Sequence, residues 1–495
     1  MKTNVLVIGG GGAGLTAAIS AAKEGARVRL VSKTRAGMNT CTAYSGGIFS
    51  LACGEVTPEE HFAKTMEVGC HANDAALVQT MTEHAEQTLL ELQRWGVDIR
   101  FPRPGKASVR QSAAHKLMGG EGFTAQLRQI AQSEQVELIE SSIVTDLLND
   151  DSGVCGAKLV NWQTGKAQLL YADAVVIATG GAGQIFSRTD NPVRMTGDGY
   201  ALALKAGLKL RDMEFIQFYP LGWNDPQLPV WMADLGLIDF IPLTDSHGKE
   251  FLLEKLNEWG FKNGSEGNLY ARDRAAAAIA KADRSGGAFI HLEAASSELW
   301  QDRRFLRQLI IDPAMLRDIK RPVRVAPLEH YFCGGIVIDA ESRTAMPRLY
   351  ACGEATGGVD GANRMGGNAL ANIVTFGMRA GKNAAAESPR VNVSIERETP
   401  LPDYNSKGEL PSTLRRQLQK TMWDNLSPIR NEKGLREALE SLDKFEARPM
   451  RADSPLELLK ALEMPGLIQT ARASAKAALL RKESLGVHIR EDSVH

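Results

Sequence analysis

The fold of this chain is decided by Val5-Leu6-Val7-Ile8-Gly9-Gly10-Gly11-Gly12-Ala13-Gly14. Four consecutive apolar residues are typical of a parallel strand that is covered on both faces. They lead into a Gly-x-Gly-x-x-Gly turn, an alanine-rich helix over residues 15–24 and a second strand over residues 28–31. The pattern predicts a β-α-β unit whose glycines admit a pyrophosphate and whose helix N-terminus attracts its charge. We therefore predict a dinucleotide site, since a glycine turn without a ligand explains neither the strand nor the helix.

The second strand ends on Ser32-Lys33, where a plain NAD site would carry an acid for the ribose hydroxyls. A second glycine-rich strand end, residues 174–183, is similar to the Ala-Thr-Gly-Gly segment of FAD-binding proteins with two dinucleotide folds. Gly197-Asp198-Gly199 and Gly353-Glu354 add to this pattern. Together these segments favour FAD over NAD.

Residues 353–370 form another glycine-dense segment far along the chain. Without Cβ atoms, such a backbone can approach a flat ring closely. Glu354 at its start can accept hydrogen bonds from ribose hydroxyls, and Arg364 in its middle can grip a carboxylate with its planar fork. The segment therefore predicts that a dinucleotide and an anionic substrate lie side by side.

The composition is that of a soluble globular protein with more than one domain: 495 residues, 43% hydrophobic and 24% charged. A net charge of −1 argues against nucleic acid or an acidic membrane surface as a partner. We find no signal-peptide pattern and no run of about 18 apolar residues, so we expect a cytoplasmic protein without direct membrane insertion. The six cysteines form no Cys-x-x-Cys pair, so no metal, iron–sulfur cluster or attached haem is expected in this chain.

Ordered motifs span nearly the whole chain, among them Ser45-Gly46-Gly47-Ile48, Trp95-Gly96-Val97, Ala178-Thr179-Gly180-Gly181-Ala182-Gly183, Asp212-Met213-Glu214-Phe215-Ile216-Gln217-Phe218, Ala271-Arg272-Asp273, His330-Tyr331, Ile429-Arg430-Asn431-Glu432-Lys433-Gly434-Leu435 and Arg481-Lys482-Glu483-Ser484. Through these motifs the chain resembles the flavoprotein subunit of the succinate dehydrogenase and fumarate reductase family, which also contains aspartate oxidase. So many matches in the same order make the resemblance specific.

The resemblance implies an α/β fold with three parts. A Rossmann-like, two-dinucleotide-fold FAD-binding domain is expected at residues 1–220 and 334–393. An inserted α+β capping domain is expected at residues 221–333 and a C-terminal helical domain at residues 394–495. The helical spacing of leucine, alanine and charged residues over 411–482 agrees with the last of these.

In relatives with covalent flavin, a histidine precedes the Gly-Gly pair, and the aligned position here is Thr40. The resemblance therefore implies non-covalent FAD, with a lower flavin potential that favours reduction of the substrate. The residues expected to bind FAD are Gly9, Gly11, Gly12, Ala13, Gly14, Ser32, Lys33, Gly46, Gly47, Val144, Thr179, Gly180, Gly181, Asp198, Glu354, Arg364, Asn368, Ala369 and Leu370.

The resemblance also implies the chemistry, in which flavin N5 gives hydride to one carbon of a C=C bond and a protonated group gives H⁺ to the next. Arg272 matches the proton-donating arginine, with Asp273 as a candidate relay. His330 and Arg364 match the pair that grips one substrate carboxylate, where fixed cations stabilise the developing negative charge. The structural alternatives are a salt bridge for Arg272 and a hydrogen bond within the fold for His330.

The residues expected to hold a second substrate carboxylate are absent. Relatives that bind dicarboxylates place a histidine between Gln-Phe and proline, and here that position is Tyr219. Their Thr-Glu pair corresponds to Ala233-Asp234, and a tyrosine hydroxyl with an aspartate makes a poor anion site. We predict that His330 and Arg364 hold a single carboxylate. Tyr219 and Asp234 would face a distal group that carries N–H or O–H.

This exchange resembles the one in urocanate reductases of the same superfamily, whose distal group is an imidazole. The alternative is drift in a misaligned loop. Gly47 is also expected at the substrate, and Asp360 stands where relatives usually have histidine. Asp360 indicates either changed specificity or a pair with Arg364, and the sequence leaves this open.

The sequence thus predicts an FAD-dependent oxidoreductase of the CH–CH class that reduces the C=C bond of an α,β-unsaturated carboxylate, with a polar or aromatic distal group. Three alternatives stay open: fumarate reductase or succinate dehydrogenase proper, L-aspartate oxidase, and a non-catalytic flavin electron-transfer subunit. Aspartate oxidase needs the missing two-carboxylate grip, and retention of Arg272, His330 and Arg364 argues against a carrier. An iron–sulfur or other electron-transfer subunit is one candidate electron donor.

Overall fold

Helices and strands are arranged around a parallel sheet. The computed structural model describes residues 3–109, 119–389, 397–399 and 407–493. The elements as far as the inserted region are β1 (Asn4–Ile8), α1 (Gly12–Lys23), β2 (Arg27–Val31), α2 (Cys41–Tyr44), β3 (Ile48–Ser50), α3 (Pro58–Val68), α4 (Ala75–Arg94), β4 (Ile99–Arg103), β5 (Lys106–Val109), α5 (Gly119–Ser133), β6 (Glu137–Ile139), β7 (Ser142–Asp150), β8 (Gly153–Asn161), β9 (Lys166–Tyr171), β10 (Ala174–Ile177), α6 (Asp198–Lys205), β11 (Leu210–Arg211) and β12 (Ile216–Trp223). The elements that follow are β13 (Leu243–Asp245), α7 (Leu252–Glu258), α8 (Gly264–Tyr270), α9 (Arg272–Arg284), β14 (Ala288–Ile290), α10 (Arg303–Leu309), β15 (Val323–Phe332), β16 (Gly335–Ile336), β17 (Leu349–Ala351), α11 (Asn368–Ala385), β18 (Arg397–Thr399), α12 (Pro411–Leu426), β19 (Ile429–Arg430), α13 (Glu432–Glu446), α14 (Pro455–Leu480) and β20 (Ile489–Arg490).

The central sheet is parallel and has the strand order β17-β10-β1-β2-β6. Residues 5–8 of β1 are all buried and pair in register with residues 28–31 of β2 and 174–177 of β10. Because adjacent parallel strands need a crossover, α1 links β1 to β2 and packs beside α11. The predicted β-α-β unit and α/β class are confirmed. Helix α1 begins earlier than predicted, at Gly12, because its N-cap is Gly11 inside the glycine turn.

The inserted region has a core of its own. Its antiparallel sheet, in the order β12-β15-β14-β13, is covered by α9, and a separate cluster of buried side chains runs from Leu221 to Val325. Strands β12 and β15 begin in one core and end in the other, since Phe218 and Phe332 belong to the central cluster. The predicted boundary at 220/221 therefore falls inside β12. The two strands carry side chains to the junction between the cores.

Helices α12, α13 and α14 pack on one another near the end of the chain, and α14 also packs against α6. Arg430 anchors this group, because its buried guanidinium donates to the Glu214 carbonyl at 2.6 Å and to the Ser427 carbonyl at 3.2 Å. The boundary predicted at 393/394 lies outside the described residues. The helical group is thereby tied to the segment that leads into β12.

Candidate functional site

A cavity with an empty volume of about 840 Å³ opens at the carboxyl ends of β1 and β2. Ligands of open parallel α/β sheets bind at this edge. The helix α1 begins at the cavity, so its N-terminal amides face the space. The predicted cofactor residues that line it are Gly9, Gly11, Gly12, Ala13, Ser32, Lys33, Val144, Thr179, Gly180, Asp198 and Glu354.

The glycines of the first turn serve two different purposes. A Cβ on Gly11 would meet no atom closer than Thr40 Cβ at 3.9 Å, so Gly11 faces open space. A Cβ on Gly14 would stand 1.9 Å from the Gly9 carbonyl oxygen, so Gly14 permits close packing of helix on strand. A wall without Cβ atoms beside a helix N-terminus fits the pyrophosphate of a dinucleotide.

Several residues predicted to bind the cofactor lie outside this cavity: Gly14, Gly46, Gly47, Gly181, Arg364, Asn368, Ala369 and Leu370. Gly181 lies directly behind the wall, since a Cβ there would be 2.3 Å from Glu354 Oε1. Asn368 is engaged inside the protein, where its Oδ1 lies 2.9 Å from His61 Nε2 and its Nδ2 donates to Thr65 Oγ1 at 3.0 Å. The amide of Asn368 therefore positions the start of α11.

The cavity also has lining residues that the motifs did not assign, among them Cys41, Thr42 and Arg194. Thr42 Oγ1 accepts a hydrogen bond from the Gly12 amide at 3.2 Å, which ties α2 to the start of α1. Cys41 and Thr42 directly follow Thr40, the position aligned with the flavin-linked histidine of relatives, so the sequence could have placed them at the cofactor. The sequence holds no such indication for Arg194, because its partner Glu463 lies far along the chain on α14.

Glu463 forms a buried ion cluster beneath the cavity. Its Oε1 lies 3.0 Å from Lys33 Nζ, and its Oε2 lies 3.0 Å from Arg194 Nη1 and 3.2 Å from Arg415 Nη1. Lys33 also pairs with Asp198 at 2.7 Å. Burial alone would raise the pKa of the Glu463 carboxyl, but the three cations hold this pKa below its ordinary value. The cluster joins the last long helix to the cavity wall.

Replacing Glu463 with glutamine should lower the melting temperature of the holoprotein and speed release of its cofactor. Lys33, Arg194 and Arg415 would lose the carboxylate that they share. Breaking a buried ion pair costs about 3–5 kcal/mol of stability. The fluorescence of the expected flavin during a thermal melt reports both events. Glu437→Gln is the matched control, because Glu437 is exposed and lies 3.9 Å from Lys433, a pair of little worth. Equal melting curves for both variants would contradict this role.

His330 and Tyr219 face each other because of a β-bulge. The pairs Gln217–Tyr331 and Phe218–Glu329 are in register, so His330 between them is the extra residue on β15. A bulge re-aims side chains relative to the regular pleat. The rings of Tyr219 and His330 meet edge to face, with centroids 5.3 Å apart. Two residues from distant segments are thus brought to one point.

Arg364 is a buried cation without an ion pair in the described part of the chain. The residue is 5% exposed, its Nε has no hydrogen-bond partner there, and its Cζ lies 4.2 Å from the centre of the Tyr331 ring. Its backbone is fixed by Gln217 Nε2, which donates to the Arg364 carbonyl at 2.9 Å. An unpaired buried charge is costly, so this guanidinium is suited to an anionic ligand.

Two acids stand near Arg364. Asp360 lies near Tyr331, and burial raises the pKa of its carboxyl to about 6 although Arg364 opposes the shift. Glu354 Oε1 accepts from the Phe332 amide at 3.1 Å, and burial raises the pKa of its carboxyl to about 7. Asp360 is thus a neighbour of Arg364 rather than its ion-pair partner.

Arg272 reaches the same region from the first residue of α9. Its Nε donates to the Asn268 carbonyl at 2.7 Å and to Asn268 Oδ1 at 3.2 Å. Its Cζ lies 4.9 Å from the centre of the Tyr219 ring, and its Nη2 lies 3.7 Å from where a Cβ on Gly366 would stand. The guanidinium therefore extends from the inserted region to the glycine segment that carries Arg364.

Asp234 acts on Arg272 through Asn268. Asp234 Oδ2 accepts from Asn268 Nδ2 at 2.8 Å, and its Oδ1 accepts from the Gly236 amide at 2.8 Å. Burial raises the pKa of the Asp234 carboxyl, while Arg272 opposes that shift. Burial, and after it the charge of Asp234, raises the pKa of the Tyr219 hydroxyl. Asp234 therefore orients the amide that holds Arg272 and lies close to Tyr219.

Two further residues that the motifs assigned have the following surroundings. The Asp273 carboxyl, the candidate relay, interacts with Arg274, and its Oδ1 has no hydrogen-bond partner among the described residues. Gly47 packs tightly, since a Cβ there would be 2.6 Å from Val109 Cγ2. Asn268 takes the bridging place next to Arg272. No motif indicated Asn268, because its role depends on a contact with Asp234 that only the fold creates.

His330 has an acidic partner that no motif revealed. Its Nδ1 lies 2.7 Å from Asp190 Oδ2. Burial lowers the pKa of the His330 ring; Asp190 opposes this shift, whereas Arg364 and Arg272 add to it. His330, Arg364, Arg272 and Tyr219 thus converge on one site, with Asp190 behind the histidine.

The chain matches known proteins along nearly its whole length. Residues 4–370 match the family described as FAD binding domain, and residues 415–495 match the one described as fumarate reductase flavoprotein C-term. A fumarate reductase (CoM/CoB) subunit of Methanothermobacter marburgensis is 32% identical over 99% of this chain and 94% of its own length. L-Aspartate oxidase of Streptomyces coelicolor is 30% identical over 99% of this chain and 89% of its own length. The solved Mycobacterium smegmatis Sdh1 complex in its apo form gives a TM-score of 0.83 at 28% identity, covering 99% of this chain and 89% of that one.

Proposed function

Because the chain belongs to the FAD-dependent flavoprotein family of fumarate reductase and succinate dehydrogenase, we propose that it reduces the C=C bond of an α,β-unsaturated monocarboxylate with a polar or aromatic far end. It is an oxidoreductase that acts on CH–CH bonds. The observation that carries the proposal is the buried guanidinium of Arg364, which has no ion-pair partner among the described residues and lies near His330 and Arg272.

The carboxylate pole consists of Arg364 and His330. Arg364 offers a planar fork for two parallel hydrogen bonds to a carboxylate. Its stacking on Tyr331 and the bond from Gln217 keep it in place before a ligand arrives. Such preorganised cations stabilise the negative charge that develops on the acyl end during reduction.

The far pole consists of Tyr219, Asn268 and Asp234. A second substrate carboxylate there would come close to the Asp234 carboxylate behind Asn268, and like charges repel at short range. Arg272 is the cation on that side, and the reaction requires its proton. A far group that donates N–H or O–H, or a ring that stacks near Tyr219, suits these residues better than a second anion.

When bound, FAD supplies the hydride for this chemistry. Arg272 holds the proton for the neighbouring carbon. Burial and the charge of Arg364 lower the pKa of the Arg272 guanidinium, which makes it a stronger acid than in water. Asn268 engages Nε and leaves the Nη groups directed towards the glycine segment.

The test is an anaerobic screen of enoic acids. The flavin of the holoprotein is reduced with dithionite and mixed with fumarate, trans-cinnamate or 3-(imidazol-4-yl)acrylate, and reoxidation is followed by absorbance. We expect kcat/KM for an aryl or heteroaryl acrylate to exceed that for fumarate by about 10²-fold, because an ill-matched buried polar site rejects a substrate strongly.

Other outcomes identify the alternatives. Fast reduction of fumarate with no turnover of either acrylate would overturn the proposed substrate class and indicate fumarate reductase proper. Oxidation of L-aspartate would indicate an aspartate oxidase. Retention of FAD without turnover of any of these acids would indicate an electron-transfer subunit.

We further propose that an iron–sulfur or other electron-transfer subunit delivers electrons to the flavin. The M. marburgensis relative carries the name of a subunit, which supports this proposal, and the M. smegmatis structure is of a complex.

Across the described ranges, no helix combines the length and the apolar character needed to traverse a bilayer.

A further inference from the structure

We propose that Asp190 is a positioning residue that makes carboxylate binding take up one proton, which passes from solvent to Nε2 of His330. The inference rests on the proposed function, since its ligand is the substrate carboxylate. The Nε2–H bond forms as the bond to hydrogen in a hydronium ion or a buffer acid breaks, and no electrons are exchanged.

The pair is asymmetric in exposure. The Asp190 side chain is 4% exposed and the His330 side chain 21%, with Oδ2 and Nδ1 2.7 Å apart. A neutral imidazole in this arrangement carries its proton on Nδ1 and donates it to the carboxylate. Nε2, on the opposite edge of the ring, is then an acceptor on the side that faces away from Asp190.

Asp190 and His330 are held together by backbone as well as side chains. Asn191 Nδ2 donates to Asp190 Oδ1 at 3.1 Å and to the His330 carbonyl at 3.0 Å. The Asp190 amide donates to the Glu329 carbonyl at 3.2 Å. These bonds fix Asp190 and the backbone of His330, so a ring that turned Nε2 inwards would lose the contact between Nδ1 and Asp190.

The charges around His330 decide when it is protonated. Arg364 and Arg272 face it from the glycine segment and from α9, the Tyr219 ring packs on it from β12, and Asp190 lies behind it. Burial and the two arginines lower the pKa of the free ring, so Nε2 presents a lone pair that repels an anion. A carboxylate that binds here offsets the positive charge of the two arginines. The imidazolium then lies between two anions, the ligand at Nε2 and Asp190 at Nδ1, and both stabilise it.

Burial acts on the other titratable groups near Asp190. Burial raises the pKa of the Glu354 carboxyl to about 7 and that of the Glu329 carboxyl well above its ordinary value. Burial also raises the pKa of the nearby Cys41 thiol. Asp190 is the acid in direct contact with the histidine, where it opposes the effect of the two arginines on the pKa of the ring.

The pH dependence has a definite sign. In the free protein the pKa of His330 lies below its ordinary value, and binding of an anion raises it. Between these two pKa values the complex holds one proton more than the free protein. Affinity for the carboxylate therefore rises as pH falls, by roughly tenfold per pH unit for one proton.

The first experiment measures that proton directly. trans-Cinnamate is titrated calorimetrically into the oxidised holoprotein, in buffers of different ionisation enthalpy between about pH 6 and 9, with fumarate as a second carboxylate. We expect uptake of close to one proton within the window. Uptake of none at any pH would overturn the proposal.

Asp190→Asn separates charge from shape, because its amide oxygen still accepts from Nδ1–H. We expect less proton uptake, a flatter pH profile and roughly tenfold weaker binding at neutral pH. Glu329→Gln is the matched control: the residue is fully buried on the same pair of segments, and Thr189 Oγ1 donates to its Oε2 at 2.6 Å. Burial raises the pKa of its carboxyl, and Glu329 does not contact the His330 ring, so the control should behave as the natural protein.

The second experiment needs no ligand. Histidine labelled at Cε1 reports the protonation of His330 by NMR, with its signal assigned by loss in His330→Gln. We expect the pKa of His330 to be lower in Asp190→Asn and unchanged in Glu329→Gln. Equal values in all three proteins would overturn the role of Asp190. If Asp190→Asn fails to fold, the proton uptake measured calorimetrically with the natural protein decides whether the proposal holds. If neither trans-cinnamate nor fumarate binds, that result counts against the proposed function alone.

Discussion

Replacing Arg272 with alanine is expected to slow enoate reduction by about 10³- to 10⁴-fold while the protein keeps its FAD, because a positioned proton donor contributes up to about that factor. FAD content should not change, since Arg272 lies outside the cofactor cavity and bonds Asn268. Single-turnover reoxidation of the reduced flavin, measured anaerobically, gives the rate of the chemical step.

Arg274→Ala is the control for this change. Arg274 lies on the same helix, but its Cζ stands 5.3 Å from the Trp259 ring and 5.5 Å from the Phe261 ring. Its cation is therefore held against these rings instead of the site. A loss of less than about tenfold in Arg272→Ala, or an equal loss in Arg274→Ala, would remove Arg272 from the role of acid.

Replacing Arg364 with methionine should weaken carboxylate binding by about 10²- to 10³-fold, because truncating one partner of a buried charge pair costs about 2–5 kcal/mol. Stability should move in the opposite direction. The free protein buries this guanidinium without an ion pair among the described residues, and an apolar side chain of similar volume avoids that desolvation. We expect an equal or higher melting temperature, with the pKa of Asp360 rising above about 6 as its cation is lost.

The comparison variant is Arg379→Met on α11. Arg379 pairs with Glu341 and donates from Nε to the Ala340 carbonyl at 2.8 Å. Its loss should lower the melting temperature and leave carboxylate affinity unchanged. Perturbation of the flavin absorbance on addition of trans-cinnamate reports binding, and a melt of the holoprotein reports stability. If Arg364→Met binds as well as the natural protein, the carboxylate pole lies elsewhere.

Local patterns predicted the parts of the site that depend on local chemistry. The apolar run of β1 and the glycines that follow were sufficient to predict strand, turn and helix, and Gly11 faces the cavity at that turn. Glu354 was predicted at the dinucleotide because an acid starts a glycine-dense segment, and it lies on the cavity wall. The periodicity of a strand or a helix is a property of a few consecutive residues, so these features can be predicted from the sequence without knowledge of the tertiary structure.

Residues that work through a distant partner could not be found in this way. Asn268 matters because Asp234 orients its amide, Asp190 because it backs His330, and Glu463 because it meets the cations under the cavity. In each case the two partners lie far apart in the sequence and share no motif. Asp273 was predicted to act with Arg272 because it follows that residue in the chain, but its carboxyl interacts with Arg274.

From its residues alone, this chain can be assigned a parallel α/β core and a dinucleotide turn, and Arg364 can be predicted to bind a carboxylate, because backbone preference, periodicity and side-chain charge are properties of short segments. The direction in which His330 points, and the groups that surround its ring, followed only from the folded chain. The bulge opposite Phe218 exists only when β12 and β15 pair, and the charges that govern proton binding there come from segments that meet only in the folded core.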